Sequence, residues 1–197
     1  MERRAEKGNQ NAGGQEVKSG NSDSARPFLE HARHSLMAHH LPRITRSLSL
    51  LSDEQIWWRP NRASNSVGNL VLHLAGNVRQ WITSGLGGAT DVRQRDREFA
   101  ERGPVPRRAL LRRLRNAVAD ACQVLAELSS ADLARLYSIQ GFRVSGLEAV
   151  AHVMEHFAYH TGQIIFVTKL KTRKDLSFTR LPAEKKNSRA AKALPAI

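Results

Sequence analysis

Three histidines recur every four residues in one stretch near the C-terminal end of the sequence, HVMEHFAYH, at positions 152, 156 and 160. Residues four apart lie above one another on an α-helix, so these rings would form a ridge. Eight residues span about 12 Å along a helix axis, and an ion held at about 2.0–2.1 Å from each ligand cannot reach both ends of that ridge. A metal ion could therefore use His152 with His156, or His156 with His160, but not all three.

The two pairs predict different sites. HVMEH matches the H-x-x-E-H arrangement, in which two histidines hold zinc and the intervening acid, here Glu155, acts as base. HFAYH has no acid between its histidines and needs a third ligand from another helix, as is common in bundle cores. His73, in NLVLHLAGN, is the candidate for that ligand. Taken singly, each histidine could also be a hydrogen-bonded interior residue, so the residues alone leave both pairs and a structural role open.

Four segments of the chain must position these side chains. Their apolar residues recur every three or four positions, which predicts four amphipathic helices and an all-α four-helix bundle. The predicted helices run from Pro27 to Leu51, from a cap at Ser64 or Asn65 to Gly85, from Pro106 to Leu128, and from a capping box at Ser145 to Lys171. Pro42 predicts a kink in the first helix. We expect the connection before Pro104 to be irregular and residues 129–144 to be mixed.

The composition predicts one domain between two tails. A chain of 197 residues with 41% hydrophobic residues can build one core. Residues 1–25 are polar and rich in glycine, and residues 182–197 are basic, so we expect both to be disordered tails around a bundle at residues 26–181. No apolar run approaches the roughly 18 residues of a membrane span, and no signal-peptide core begins the chain. We therefore expect a cytoplasmic protein without a membrane partner.

The formal net charge of +13 raises the question of a nucleic-acid partner. Part of this charge lies in the predicted tails, and the arginines of RRALLRRLR alternate with leucines as on the solvated face of an amphipathic helix. No nucleic-acid-binding motif accompanies them, which favours a solvated face over a nucleic-acid surface. The single cysteine, Cys122, excludes a disulfide framework. The spacing of the histidines near the N-terminal end predicts that they are exposed: His31, His34, His39 and His40.

Two longer segments carry a resemblance to a known family. WWRPNRASNSVGNLVLHLAGNVRQW and EHFAYHTGQI resemble motifs of the DinB-like superfamily of four-helix bundles with metal centres, and in particular a bacterial branch of it whose activity is uncharacterised. The resemblance covers about residues 28–178. It implies an up-down-down-up bundle, frequent homodimers, and a divalent metal ion, most often zinc or nickel. The ligands it implies are His73, His156 and His160, which selects the HFAYH pair.

Three neutral imidazoles leave at least one position on a metal ion open, which is typical of catalytic sites. We therefore expect a metal-dependent enzyme acting on a small-molecule substrate, either a hydrolase or a transferase of a low-molecular-weight thiol. The alternatives are a non-catalytic, stress-associated metal-binding bundle and, suggested only by charge, a basic nucleic-acid-associated protein. The sequence assigns no catalytic residue and leaves the roles of His152, Glu155 and Gln163 open.

Overall fold

The computed structural model describes residues 24–178, which form four long helical rods joined by short elements. In chain order the elements are α1 (Arg26–His34), a π-helical segment (Ser35–His40), α2 (Leu41–Ser49), α3 (Asp53–Trp57), α4 (Val67–Val78), a second π-helical segment (Arg79–Leu86), α5 (Arg95–Ala100), α6 (Arg107–Glu127), α7 (Ser130–Ala134), β1 (Leu136–Ile139), β2 (Phe142–Ser145) and α8 (Gly146–Thr172). The first rod is residues 26–49, the second is residues 67–86, and α6 and α8 are the third and fourth. The predicted all-α four-helix bundle is confirmed.

Helix α4 is the central element of this bundle. It packs against α3, α5, α6 and α8, and eleven of its twelve residues are buried. Most are aliphatic, and full burial of a side chain such as Leu74 contributes about 1.5–3 kcal/mol to stability. Asn69, His73 and Asn77 are buried on the same helix. Because buried polar groups need partners, these three residues direct attention to what surrounds them.

The start of α4 differs from the prediction by one or two residues. Its N-cap is Ser66, whose hydroxyl accepts from the main-chain amide of Asn69 while the Asn69 side chain accepts from Ser66, forming a capping box. Ser64 is engaged elsewhere, because its amide and hydroxyl both donate to Asn61 in the preceding turn. At the start of α8, the predicted capping box of Ser145 and Glu148 is present.

The first rod runs past Pro42 without a break. The π-helical segment ends two residues before Pro42, which lies in the first turn of α2. A proline removes one backbone donor and crowds the preceding turn, and a widened turn absorbs that misfit. The helix is therefore disturbed next to Pro42, as predicted, and the disturbance is a change from α-helix to π-helix over residues 35–40.

The connection between the second and third rods contains a short helix, α5, where an irregular segment was expected. The side-chain amide of Asn69 donates to the main-chain oxygens of Glu98 at 2.8 Å and of Glu101 at 2.9 Å. These bonds fasten α5 to the start of α4. The mixed segment resolves into α7 and a hairpin in which Ile139 pairs with Phe142.

The predicted tails lie outside the described residues, apart from residues 24 and 25, which form the turn before α1. Within residues 24–178, none of the helices combines the length and the hydropathy that a membrane crossing requires.

Candidate metal centre

Three histidine rings from two rods meet inside the bundle: His73 from α4, and His156 and His160 from α8. One ligand atom of each lies within 4.8 Å of the other two. The ring centroids are 4.9 Å apart for His73 and His156, 5.2 Å for His73 and His160, and 4.4 Å for His156 and His160. In tetrahedral coordination at about 2.1 Å, the ligand nitrogens lie about 3.4 Å apart. To share an ion, the ligand atoms of these three rings would have to approach one another by at most roughly 1.5 Å.

The ring of His73 is oriented by a buried ion pair. Its Nδ1 lies 2.9 Å from Oε2 of Glu98. Arg93 pairs with the same carboxylate through Nε and Nη2, both at 2.8 Å. An ionised carboxylate only accepts hydrogen bonds, so Nδ1 carries the proton, a tautomer assigned from this network. The Nη2 of Arg93, 3.0 Å from Nδ1, is then a close neighbour and no donor to it. The Nε2 of His73 remains free as a ligand.

Charge keeps Glu98 ionised inside the protein. Burial opposes ionisation, but the hydrogen bonds and charges of Arg93 and His73 outweigh it and lower the pKa of the Glu98 carboxyl. The side chains of Arg93 and Glu98 are 4% and 11% exposed. A pair this sheltered from water holds its geometry, and with it the geometry of the His73 ring.

His160 is oriented in the same manner by a neutral partner. Its Nδ1 lies 2.7 Å from Oε1 of Gln163, one helical turn along α8. An amide oxygen accepts, so Nδ1 of His160 donates and Nε2 is left as the free nitrogen. Burial lowers the pKa of His160, which favours the neutral ring that a metal ion needs. Gln163, whose role the sequence left open, therefore holds one of the three rings.

The third ring of the cluster, that of His156, contains a buried nitrogen that needs a partner. Its Nε2 is buried and has no hydrogen-bond partner among the described residues. Burial, with smaller effects from the neighbouring rings of His160 and His73, lowers the pKa of His156 to about 3. A buried polar atom without a partner costs about 1–3 kcal/mol. A cation shared with the other two rings would satisfy this nitrogen, so the residues present fit a metal ion.

The structure places His152 and Glu155 outside this group. The ring of His152 stacks on Trp81 at 4.0 Å, and its Nε2 lies 3.3 Å from Nδ2 of Asn77. Its centroid is 5.4 Å from that of His156. Glu155 is exposed. The HVMEH arrangement therefore lacks its acid at the cluster, and Glu155 lies on the outer surface.

Arg93 and Glu98 were missed by the reasoning from sequence, because they belong to a connection that was expected to be irregular. One signal was present at Gly76, three residues after His73 in a buried helix. A Cβ added to Gly76 would overlap Oε1 of Glu98. A glycine at such a position indicates the close approach of another group, here the carboxylate that orients His73.

The prediction that all four N-terminal histidines are exposed is wrong for His40, which is buried near Phe157. It continues the stripe of Ala32 and Leu36 at four-residue spacing, so its position on the rod decides its burial. Burial, with smaller effects from His39 and Arg43, lowers the pKa of His40 to about 4. Its Nδ1 has no partner among residues 24–178.

The comparisons with known proteins agree with this architecture. Residues 23–185 match the family model described as protein of unknown function (DUF1572). Among solved structures, the chain is similar to a DinB-like protein from Bacillus cereus ATCC 10987, with a TM-score of 0.56 and 17% sequence identity. The alignment covers 74% of this chain and 91% of that one. None of the curated proteins compared with the chain matches it.

The likeness to the Bacillus cereus protein is a likeness of fold, and it confirms the DinB-like four-helix bundle that the resemblance implied. The family match spans most of the chain, including both rods that carry the three histidines. The chain therefore belongs to the DUF1572 family, a DinB-like family.

Proposed function

We propose that this protein is a metal-dependent enzyme that holds a divalent cation, zinc or nickel, with His73, His156 and His160 and acts on a small molecule. One observation carries the proposal. The buried Nε2 of His156 lacks a partner, and it lies beside two rings whose Nδ1 atoms are already engaged by Glu98 and Gln163. Three neutral nitrogens that converge in a water-poor interior are the donor set of a catalytic divalent cation with an open position.

The cation would supply Lewis acidity, which activates water or a thiol and polarises a carbonyl. The chain's own residues would orient the ligands and the substrate. Glu98 and Gln163 hold two of the rings in the tautomer that presents Nε2. Beside the cluster, Oδ1 of Asn77 is buried without a partner among the described residues. This oxygen can accept a hydrogen bond from a substrate group, and the stacked rings of Trp81 and His152 would form an adjoining apolar wall.

We propose two reactions for this centre, hydrolysis of a small substrate and transfer of a low-molecular-weight thiol to an electrophile. Both draw on the same Lewis acidity, so the identity of the nucleophile separates them. Metal-loaded protein would be assayed with activated esters and alkyl halides, in buffer alone and with thiols. Turnover that depends on a thiol assigns the transferase, and turnover in buffer alone assigns the hydrolase.

A non-catalytic metal-binding bundle is the second candidate, and burial of the site favours it. His73 is 5% exposed and His160 is 8% exposed, so access to the cluster is restricted. A structural ion would raise the thermal stability of the protein without turnover in any of these assays. A strong stabilisation by metal combined with a negative screen would select this second role.

The metal site has a direct test in three variants. Bound metal would be measured by mass spectrometry for the wild type and for His156→Ala, His160→Ala and His152→Ala. We expect about one equivalent in the wild type and in His152→Ala, and loss of metal in His156→Ala and His160→Ala. Equal metal content in His156→Ala and the wild type would remove the site. Loss in His152→Ala with retention in His160→Ala would restore the alternative HVMEH pair.

The homodimer and the cytoplasmic location implied at the outset stay predictions. Tyr159, Phe166 and Leu170 are 65%, 68% and 55% exposed, and their spacing places them on one face of α8. A second copy of this chain packed on that face would cover them. Light scattering of the wild type and of Phe166→Asp tests this, and a monomeric wild type would end the dimer hypothesis.

A further inference from the structure

A cleft of about 790 Å³ lies between α4, residues 92–101 and α6. Its volume falls within the roughly 300–1,000 Å³ that is usual for small-molecule sites. None of the three clustered histidines lines it. Aliphatic residues from three parts of the chain contribute an apolar lining, among them Leu72, Ala75, Val105, Leu110 and Ala117. The cleft therefore adjoins the candidate metal centre, because Arg93 and Glu98 line it, but it does not contain the three histidines.

Five arginines and two glutamates also line this cleft. The glutamates are already engaged. Glu98 accepts from Arg93 and His73, and the side chain of Glu101 accepts from the main-chain amides of Arg102 and Gly103. The cleft thus carries an excess of three positive charges.

Four of the arginines are exposed and make no ion pair with any described residue: Arg79, Arg97, Arg112 and Arg113. They come from three separate elements, namely the second rod, α5 and α6. The sequence alone indicated a solvated basic face for RRALLRRLR, whereas the fold brings two of its arginines to the cleft beside Arg79 and Arg97. Convergence of unpaired guanidinium groups around an apolar lining creates a positive potential that an anion relieves.

We propose that this cleft binds a small organic anion, with an apolar body against the aliphatic lining and a phosphate or carboxylate group among the arginines. Guanidinium groups match both anions in geometry and charge. A single-stranded nucleic acid fits less well, because no lining residue is aromatic and base stacking has no platform. This proposal does not rest on the proposed metalloenzyme.

The test uses calorimetric titration of the full chain at about 150 mM salt, where exposed charges are screened within about 8 Å. Phenyl phosphate probes the full ligand, inorganic phosphate probes the charge alone, and phenylacetate probes the carboxylate. We expect phenyl phosphate or phenylacetate to bind about tenfold or more tightly than inorganic phosphate, since burial of a phenyl group adds at least about 1.5 kcal/mol. The preferred anion identifies the head group.

Variants assign the binding to the cleft. Arg97→Ala and Arg113→Ala are expected to weaken it about tenfold each, the loss of one charge-assisted hydrogen bond of about 1.5 kcal/mol. Arg143→Ala removes the same charge from an exposed position on β2 that does not line the cleft, and is expected to stay within about twofold. Circular dichroism checks the fold of each variant.

His156→Ala separates this site from the metal centre, because phosphate could also bind a metal ion directly. Retained affinity in His156→Ala supports the cleft, and loss of affinity assigns the ligand to the metal centre and overturns the proposal. No binding of any probe, equal weakening by Arg143→Ala, or no preference for the phenyl compounds also overturns it. Displacement of phenyl phosphate by a single-stranded oligonucleotide, dependent on Arg97 and Arg113, would make the cleft a nucleic-acid surface instead.

Discussion

Replacing Glu98 with glutamine tests most directly how the proposed metal ligand His73 is oriented. The change keeps the size of the side chain but removes its charge and one acceptor. With its oxygen at the position of Oε2, glutamine would accept from His73 and from Nη2 of Arg93, and its NH₂ group would face Nε of Arg93. With its oxygen at the position of Oε1, it would accept from Nε of Arg93, and its NH₂ group would face His73. When the NH₂ group faces His73, Nδ1 must accept, and the ring proton moves to Nε2, the nitrogen that the metal ion needs.

The expected losses of metal affinity and of stability follow from this geometry. Loss of a hydrogen-bonded partner behind a metal ligand typically costs 10–100-fold in metal affinity, or about 1.4–2.7 kcal/mol. The metal-free protein is also expected to lose stability, because the side chain of Arg93 is 4% exposed and would lose its counter-charge. Removing one partner of a buried pair costs about 3–5 kcal/mol. Glutamine retains one acceptor, so we expect about 2 kcal/mol.

Two measurements separate these effects. Competition with a chromophoric chelator gives the metal dissociation constant, and urea unfolding of metal-free protein gives the free energy of unfolding. Glu155→Gln is the matched control, because Glu155 lies beside His156 in sequence but is exposed and makes no hydrogen bond or ion pair with residues 24–178. It also tests the idea that Glu155 serves the centre as a base.

We expect the metal dissociation constant of Glu155→Gln to stay within about twofold of the wild type. A folded Glu98→Gln protein with unchanged metal affinity would refute the role of the carboxylate in holding His73. Equal weakening in both variants would assign the effect to long-range charge and not to the hydrogen bond with Nδ1.

Three further predictions concern Gly76, Asn69 and His40, with Gly162→Ala as the control for the first. Gly76→Ala adds a Cβ that overlaps the carboxylate of Glu98, so metal affinity should fall at least about tenfold, whereas Gly162→Ala meets no atom within 4 Å and should stabilise α8 by about 1 kcal/mol in urea unfolding. Asn69→Ala removes two donated hydrogen bonds and a capping box, and should cost about 2–4 kcal/mol by urea unfolding. Burial lowers the pKa of His40 to about 4, so the unfolded chain takes up a proton at a higher pH than the folded protein does. The free energy of unfolding should therefore fall as the pH drops from about 6.5 to about 4, and His40→Phe should remove about 3 kcal/mol of that fall.

Each of these has a contrary result. Equal metal affinities of Gly76→Ala and Gly162→Ala would show that Gly76 is not a point of close approach to Glu98. An unfolding midpoint unchanged in Asn69→Ala would mean that α5 is held by other contacts. Parallel curves of stability against pH for the wild type and His40→Phe would show that the ring of His40 titrates normally in the folded protein.

The rods and the common face of His156 and His160 on α8 could be predicted because they depend on local spacing. A four-residue repeat places His156 and His160 on one face whatever else the chain does. The cap of α4 was misplaced because three neighbouring residues, Ser64, Asn65 and Ser66, all have capping side chains. The turn around Asn61 engages Ser64, and the reciprocal hydrogen bonds with Asn69 make Ser66 the cap.

The sequence by itself determined the helical periodicity, the two candidate histidine pairs and, through long motifs, the resemblance that joined His73 to them. Tertiary structure decided which residues contact those candidate ligands. Arg93 and Glu98 reach His73 because residues 91–101 are held against the second rod by Asn69 and Gln80, and the arginines of the cleft converge because three elements pack side by side. Spacing along one helix is a property of the local backbone, whereas contacts between residues far apart in the chain exist only after the rods have packed.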